Sequence, residues 1–209
     1  TGSVVTLNVN TNVVIDSLMI DFGDELIFPN GPDLTFVQDA SRAASGILTN
    51  NGTISMNGIT TGTELRFDNT GLITGTGVID TNGVSHNRFV GVDAIDDILT
   101  HDTDHRIQGG GFIGSGLNQF INDGTIDVDV DTLTFGWDVG LVNGVSEVLV
   151  TNNSLIEASD GGTLQLGDGN VANGTVRIVN DGIIAARDLS NGRLRDDLTL
   201  VGGTGSLES

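Results

Sequence analysis

The amino-acid sequence predicts an all-β fold, a right-handed parallel β-helix, also called a single-stranded β-solenoid. Three observations predict it: a short phrase that recurs five times, apolar residues that alternate along the chain around that phrase, and a composition rich in turn residues but poor in helix formers. Internal repetition indicates that one supersecondary unit is stacked on copies of itself.

The recurring phrase reads apolar residue, any residue, Asn, any residue, Gly or Ser, any residue, Ile. Its copies occupy residues 48–54, 67–73, 120–126, 150–156 and 178–184. A small residue lets the chain bend without a Cβ clash, and an Asn side chain can bond backbone groups that a turning strand leaves unpaired. The phrase is therefore interpreted as strand, corner, strand.

Apolar side chains keep one parity through each copy of the phrase. In the second copy, Leu65, Phe67, Asn69, Gly71 and Ile73 share one parity, and mostly polar residues take the other. Because strand side chains alternate between faces, the Asn of each phrase is predicted to point inward. Stacked coils would then align these amides in a hydrogen-bonded corner ladder. The predicted ladder consists of Asn50, Asn69, Asn122, Asn152 and Asn180.

A second recurring element is a short strand of the form Leu-x-Leu or Leu-x-Phe. It occurs at residues 26–28, 34–36, 133–135, 164–166 and 198–200, and parity flips between it and the neighbouring phrases. A flip of parity indicates a further corner in the winding. Each coil is therefore predicted to have several faces, and at about 25 residues per coil the chain would form about eight coils.

The phrase is not distributed evenly along the chain. Residues 1–45, which include both prolines, lack it and are predicted to form a cap or atypical coils, whereas residues 46–209 are predicted to form regular coils. The pattern breaks at residues 84–106, where all three His fall among several Asp. This break predicts an inserted loop at about 84–106.

Composition limits the classes of partner and chemistry. The formal net charge is −20, and the eight basic residues, all Arg, are scattered, which disfavours nucleic acid and anionic lipid surfaces. The absence of Cys removes disulfides, thiolate metal sites and thiol nucleophiles. No apolar run approaches the roughly 20 residues of a membrane helix, so no membrane insertion by this segment is expected.

Two Asp-containing segments are the weak candidates for a metal site. Asp102 and Asp104 lie in the cluster at residues 101–106 between His101 and His105, and Asp127 and Asp129 alternate with Val after a phrase. A solvated loop and a solvated strand face are the favoured interpretations. For residues 101–106 the alternatives are a metal site or an interface contact that uses His101, Asp102, Asp104 or His105, and catalysis. For Asp127 and Asp129 the alternative is Ca²⁺ bound with help from a neighbouring coil or a partner, because Ca²⁺ takes six to eight oxygen ligands.

Residues 48–54, 120–126 and 161–166 resemble the repeats of bacterial autotransporter passengers and filamentous-haemagglutinin-like adhesins. The resemblance extends loosely over residues 46–205. It implies a secreted or surface-displayed bacterial β-helix that serves as a stalk, an adhesin or a self-associating fibre. Its implied partners are copies of itself or neighbouring β-helix modules, and a host or cell-surface glycan or protein.

The alternative function is a polysaccharide-active enzyme of the same fold, a pectate-lyase-like lyase or glycoside hydrolase, or a glycan-binding spike. Such enzymes draw catalytic groups from different coils, whereas the cluster at residues 101–106 spans less than one coil. The chain also has one Trp and no Tyr to form sugar-binding platforms. The sequence therefore favours a non-enzymatic structural or adhesive module.

Overall fold

The computed structural model describes residues 2–7, 12–37, 46–82, 86–92, 97–136, 147–167, 175–188, 190–194 and 198–208. These residues form twenty-five strands and no helix. The strands belong to three sheets, called A, B and C, in which all neighbouring strands are parallel. The chain visits the sheets in the order A, B, C and then returns to A one coil further on, so the predicted parallel β-helix is confirmed.

Each sheet takes every third strand of the chain. Sheet A has nine strands: β1 (Val4–Thr6), β4 (Glu25–Phe28), β7 (Thr53–Met56), β10 (Val78–Asp80), β13 (Arg106–Gln108), β16 (Thr125–Val128), β19 (Leu155–Ala158), β22 (Ile183–Ala186) and β25 (Ser206–Glu208). Sheet B has eight: β2 (Val13–Ile15), β5 (Asp33–Val37), β8 (Thr63–Asp68), β11 (Asn87–Gly91), β14 (Gly111–Ile113), β17 (Thr132–Phe135), β20 (Thr163–Leu166) and β23 (Asn191–Leu194). Sheet C also has eight: β3 (Ser17–Ile20), β6 (Ile47–Asn50), β9 (Thr70–Thr74), β12 (Ile98–His101), β15 (Gln119–Asn122), β18 (Glu147–Asn152), β21 (Thr175–Asn180) and β24 (Leu198–Gly202).

One aliphatic residue of every sheet A strand lies in register with its neighbours. This aliphatic column consists of Val5, Leu26, Ile54, Ile79, Ile107, Ile126, Ile156, Ile184 and Leu207. Its seven middle members are at most 8% exposed, whereas Val5 and Leu207 are 57% and 55% exposed. Burying one such side chain stabilises the fold by about 1.5–3 kcal/mol, so the stacking of coils is the main source of the core.

Phenylalanines fill the interior next to sheets B and C. Phe36 and Phe67 lie in neighbouring strands of sheet B, and their rings stack with centroids 5.1 Å apart. Phe120 and Phe135 meet from sheets C and B at 5.9 Å. All four are fully buried. Leu-x-Leu and Leu-x-Phe strands thus place both of their terminal side chains inward wherever the structure describes them.

The segment at residues 84–106 was wrongly predicted to be an inserted loop. It contributes β11, β12 and β13, one strand to each sheet, and these strands pair in parallel with the coils on both sides. Phe89, Leu99 and Ile107 supply the buried positions of the coil. Alternation of apolar residues, not the presence of the phrase, therefore determines strand formation here. Residues 84, 85 and 93–96 lie outside the described part.

Residues 1–45 were predicted to form a cap or atypical coils. Their described strands, β1 to β5, continue the same three sheets, with β1 pairing with β4 and β2 with β5. Residues 8–11 and 38–45 lie outside the description. Among the described residues there is no helix that could cross a membrane.

Candidate functional site

The corner between sheets C and A, called the C–A corner, holds a column of buried polar side chains. Asn50, Asn122, Asn152 and Asn180 each end a sheet C strand, and the next sheet A strand begins three residues later. Their exposure is 0% for the first three and 8% for Asn180. Buried amides of this kind need partners for their donors and acceptors, and the corner supplies them.

The amides of Asn122 and Asn152 bond the backbone of their own corner and of the next coil. The Nδ2 groups of Asn122 and Asn152 donate to the carbonyl oxygens of Gly124 and Ser154, two residues further on, at 3.1 and 3.2 Å. They also donate to carbonyl oxygens of the following coil, those of Leu155 and Ile183, at 3.2 Å. Each Asn therefore connects two coils where the strand ladder is interrupted.

Three of the amides also bond one another along the axis of the solenoid. Asn122 Nδ2 donates to Asn152 Oδ1 at 2.8 Å, and Asn152 Nδ2 donates to Asn180 Oδ1 at 2.7 Å. At the C-terminal side, Asn180 Nδ2 donates to the Ser206 carbonyl at 3.1 Å. The structure thus brings together three members of the predicted ladder as direct neighbours.

Two histidines occupy the gap between Asn50 and Asn122. His101 lies beside Asn122 in the register of sheet C, and His105 lies just before β13. Their rings are perpendicular, with centroids 5.1 Å apart. His101 Nδ1 lies 2.8 Å from Asn122 Oδ1, His101 Nε2 lies 3.0 Å from His105 Nδ1, and His105 Nε2 lies 3.0 Å from Asn50 Nδ2. The polar column is therefore continuous from Asn50 to Ser206.

Glycines provide the space for this arrangement. A Cβ on Gly77 would lie 2.8 Å from Asn50 Nδ2, and a Cβ on Gly124 would lie 2.6 Å from the Cε1 atom of His101. Both distances are shorter than real Cβ contacts. Gly124 is the small residue of its phrase, and a side chain there would also lie 2.5 Å from the Asp102 carbonyl oxygen, because the polar column passes close to the backbone of the next coil.

Both imidazoles are held neutral by their surroundings. Burial lowers the pKa of His101 to about 4, although its hydrogen bond to Asn122 and the charge of Asp102 oppose the shift. Burial and the neighbouring His101 lower the pKa of His105 to about 3. Desolvation penalises the charged form of a buried base, so the column is uncharged at neutral pH.

Asn69 is not part of the ladder, contrary to the prediction. It is exposed and lies between β8 and β9, at the corner between sheets B and C, with a positive φ of 66°. Its backbone N–H donates to Asp97 Oδ1 at 2.6 Å, and its side chain bonds Asp68. The left-handed residue turns the side chain outward although Phe67 and Gly71 on either side remain buried.

The Asp residues considered as metal ligands are engaged in other contacts or exposed. Asp102 accepts bonds from the Thr74 hydroxyl at 2.7 Å and from the Thr103 N–H at 2.8 Å, and the Thr74 bond is the largest cause of its lowered pKa. Asp104 is exposed on the same turn. Within the described residues, no group of three or more His, Asp or Glu is arranged to hold a metal ion.

Asp127 and Asp129 lie at the outer surface of sheet A. Asp127 is 6% exposed, forms an ion pair with Arg106, and accepts a bond from the Ser159 hydroxyl at 2.6 Å. Asp129 follows the end of β16, and burial together with the charge of Asp127 raises its pKa. The two carboxylates therefore repel one another, and Arg106, which forms the ion pair with Asp127, offsets part of the repulsion at Asp129.

Sequence reasoning missed the roles of several buried polar residues. His101, His105 and Asp97 were assigned to a solvated loop, and Asn87 was not singled out, yet all four are at most 1% exposed. Asn87 Oδ1 accepts the Gly58 N–H at 2.9 Å, and Asp97 Oδ2 accepts the Val92 N–H at 2.5 Å. The inward parity of His101 with Leu99 was the available signal for the first of them.

Asn30 stabilises the corner between sheets A and B by capping a turn of the next coil. Its Oδ1 accepts the N–H groups of Ile59, Thr60 and Thr61 at 2.8, 2.9 and 2.9 Å. Asn30→Ala is expected to lower the free energy of unfolding by about 1 kcal/mol, because exposed N–H groups can turn to water instead. Urea unfolding followed by circular dichroism measures the change. An unchanged midpoint would show that this cap contributes nothing.

Comparison with known proteins adds no relative: no family model matches the chain, and neither a curated protein nor a solved structure matches it at a significant level.

Proposed function

We propose that this chain is a non-catalytic structural module of a secreted or surface-displayed bacterial protein, in which it forms a stiff stalk and presents its outer faces for adhesion. The aliphatic column of sheet A is the observation that carries the proposal. One side chain from each of nine successive strands lies in register, and the seven middle members are buried. A continuous dry core couples each coil to the next, which is what a stalk requires.

The polar column of the C–A corner supports the same function. Amide-to-amide bonds at 2.7 and 2.8 Å connect successive coils in the direction along which a stalk is pulled. Ion pairs on the outer faces act in the same direction: Arg187 bonds Glu157 and Glu208 from neighbouring coils. Exposed pairs contribute little each, so the buried amides are the stronger connection.

The surface chemistry fits a role outside the cell. A net charge of −20 without any Lys keeps the module soluble and discourages contact with nucleic acid and anionic lipid. Absence of Cys makes folding independent of redox conditions. The resemblance of the repeated phrase to those of secreted bacterial adhesins is in keeping with these properties. We propose further β-solenoid coils and a cell-surface glycan or protein as its partners.

A single-molecule pulling experiment tests the stalk. The purified chain, held by its two termini in an optical trap, is expected to unfold in several steps that each release one or a few coils, because each coil contacts only its neighbours. A single unfolding transition at low force would contradict the role as a stalk.

Adhesion is tested with coated beads on cell surfaces, and beads carrying the heat-unfolded chain are the control. Equal retention of both bead types would contradict the role in adhesion.

An activity assay separates this function from catalysis on polysaccharides. Acidic polysaccharides incubated with the purified chain, with added Ca²⁺ and with a chelator, are expected to release no sugar products. Turnover that disappears when Asp102 or Asp104 is replaced by Asn would overturn the proposal in favour of an enzyme.

A further inference from the structure

The hydrogen bonds of the C–A corner run in one direction from coil to coil. At one end, Asn50 Oδ1 accepts the Gly52 N–H at 3.2 Å, which leaves Nδ2 facing His105. At the other end, Asn180 Nδ2 faces the Ser206 carbonyl, which can only accept. Backbone groups at both ends therefore determine which way every amide between them points.

This direction determines the protonation of both imidazoles. Asn50 Nδ2 can only donate, so His105 Nε2 must accept and the ring proton lies on Nδ1. His105 Nδ1–H then donates to His101 Nε2, and His101 Nδ1–H donates to Asn122 Oδ1. Both rings are neutral Nδ1–H tautomers, and neither has a free acceptor position.

We propose that this His pair is a proton-sensitive break point in the solenoid, where protonation of either ring opens the C–A corner at residues 101–106. A proton added to His105 Nε2 would face the Asn50 N–H group, and a proton added to His101 Nε2 would face the His105 N–H group. Two donors then point at each other in a site where the rings are 0% and 1% exposed. An unsatisfied buried group of this kind is strongly destabilising.

The charged groups around the pair do not replace the lost bonds. On the same turn, Asp102 bonds Thr74 and Thr103, Asp104 is exposed, and Arg106 pairs with Asp127. From β15, the carboxylate of Asp123 accepts a bond from the Asn153 amide. From β6 and β9, the corner receives Asn50 and the hydroxyl of Thr74. Asp102 and Asp123 favour an imidazolium electrostatically, but neither accepts a hydrogen bond from a ring.

Opening this corner would release specific backbone bonds to both neighbouring coils. The Asp123 N–H donates to the His101 carbonyl at 2.8 Å, and the Thr125 N–H donates to the His105 carbonyl at 3.1 Å. On the other side, the Arg106 N–H donates to the Gly77 carbonyl at 3.2 Å. The remaining described amide corners contain no titratable ring, so the effect is confined to this position.

Hydrogen exchange measured by mass spectrometry on the full chain tests whether acid opens the solenoid at residues 101–106. After correction for the intrinsic exchange rate, the N–H groups of Arg106, Asp123 and Thr125 are expected to exchange at least 10-fold faster at pH 5 than at pH 7.5. Those of Asn153 and Ile183, which bond equivalent groups in corners without His, serve as the internal control. Equal changes in both sets, or no change at residues 106–125, would overturn the proposal.

Equilibrium unfolding tests the sign and size of the expected change in folding stability with pH. Because the folded rings bind protons only near pH 4 and 3 and an unfolded His near 6.5, stability is full above pH 6.5 and falls as pH decreases towards 4. Between pH 7.5 and 5, the folding equilibrium constant is expected to fall about 30-fold for each imidazole. Acid also relieves repulsion among carboxylates, so the chain is compared with variants at each pH.

His101→Asn combined with His105→Asn removes both rings and is expected to abolish this acid-dependent loss, whereas His86→Asn is expected to retain it. Equal pH dependence in all three proteins would refute the proposal. Nitrogen-detected histidine NMR of the unmodified chain gives an answer even where the double variant does not fold. Nδ1–H tautomers at pH 7 that first titrate below pH 5 support the proposal, and ordinary titration of both rings near 6.5 contradicts it.

Discussion

Asn152→Leu is expected to lower the free energy of unfolding by about 3 kcal/mol. Asn152 lies in the middle of the polar column, where Asn122 donates to it and it donates to Asn180. Leucine has nearly the same volume, so the core remains filled, but Asn180 Oδ1 loses its donor inside the protein. The carbonyl oxygens of Ser154 and Ile183 lose a donor as well. Urea unfolding followed by circular dichroism measures the loss.

Asn69→Gly is the matched control for this replacement. Asn69 occupies the same position in the repeated phrase, but its side chain is exposed and its φ is positive, a conformation that glycine adopts without strain. This change is expected to leave stability within about 0.5 kcal/mol. If the two replacements had equal effects, the amide column would not stabilise the solenoid.

Phe67→Ala is expected to lower the free energy of unfolding by about 3–5 kcal/mol. Phe67 is 0% exposed and stacks on Phe36 of the neighbouring coil, with the ring planes 9° apart. Removing the ring leaves a cavity whose walls belong to two coils, and the rigid parallel sheets around it cannot collapse to fill the space. The same unfolding experiment measures the loss, and a lowered thermal midpoint is expected with it.

Phe22→Ala serves as the control for the loss of a benzyl group. Phe22 is 90% exposed, so its removal creates no cavity and is expected to change stability by less than about 0.5 kcal/mol. A small effect of Phe67→Ala, comparable to that of Phe22→Ala, would show that stacking of rings between coils does not hold the core together.

The His pair shows how one fold can use two chemistries at equivalent positions. Where the phrase crosses the C–A corner, as at Asn122 and Asn152, an amide supplies both donor and acceptor and bonds the next coil directly. At residues 101–106 two imidazoles form the hydrogen bonds between coils, and each imidazole must remain neutral to provide an acceptor. An amide side chain does not titrate in this pH range, whereas an imidazole does. The proposed acid-sensitive position is therefore the corner at residues 101–106, where the two imidazoles lie.

Alternation of apolar residues predicted the short Leu-x-Leu and Leu-x-Phe strands and their buried faces. Leu133 and Phe135 at two-residue spacing, for example, predicted a strand with both side chains inward, and both are at most 1% exposed. The same rule applied to residues 84–106 would have predicted β12 from Leu99 and His101. The loop was predicted instead because the charged residues nearby suggested solvent, although Asp102 and Asp104 lie on the turn after the strand.

The residues of a phrase did not show which corner of a coil the phrase would form. Four copies cross the C–A corner and bury their Asn, whereas the copy at residues 67–73 crosses the corner between sheets B and C and exposes Asn69. Both corners need an apolar strand, a turn and a second apolar strand, so they select similar residues. The backbone differs at the two corners: Asn69 has a positive φ and the next strand begins one residue after it, whereas the next strand begins three residues after each Asn of the C–A corner.

The sequence by itself determined that this chain forms parallel coils around an apolar core, because side-chain alternation is a local property with a period of two residues. Only the tertiary structure decided which polar residues meet inside the corners. Asn50 and His105 are 55 positions apart in the chain, and their contact depends on the number of residues in each intervening turn. The number of residues in each turn therefore determines which residues form hydrogen bonds between coils, and no local sequence pattern specifies that number.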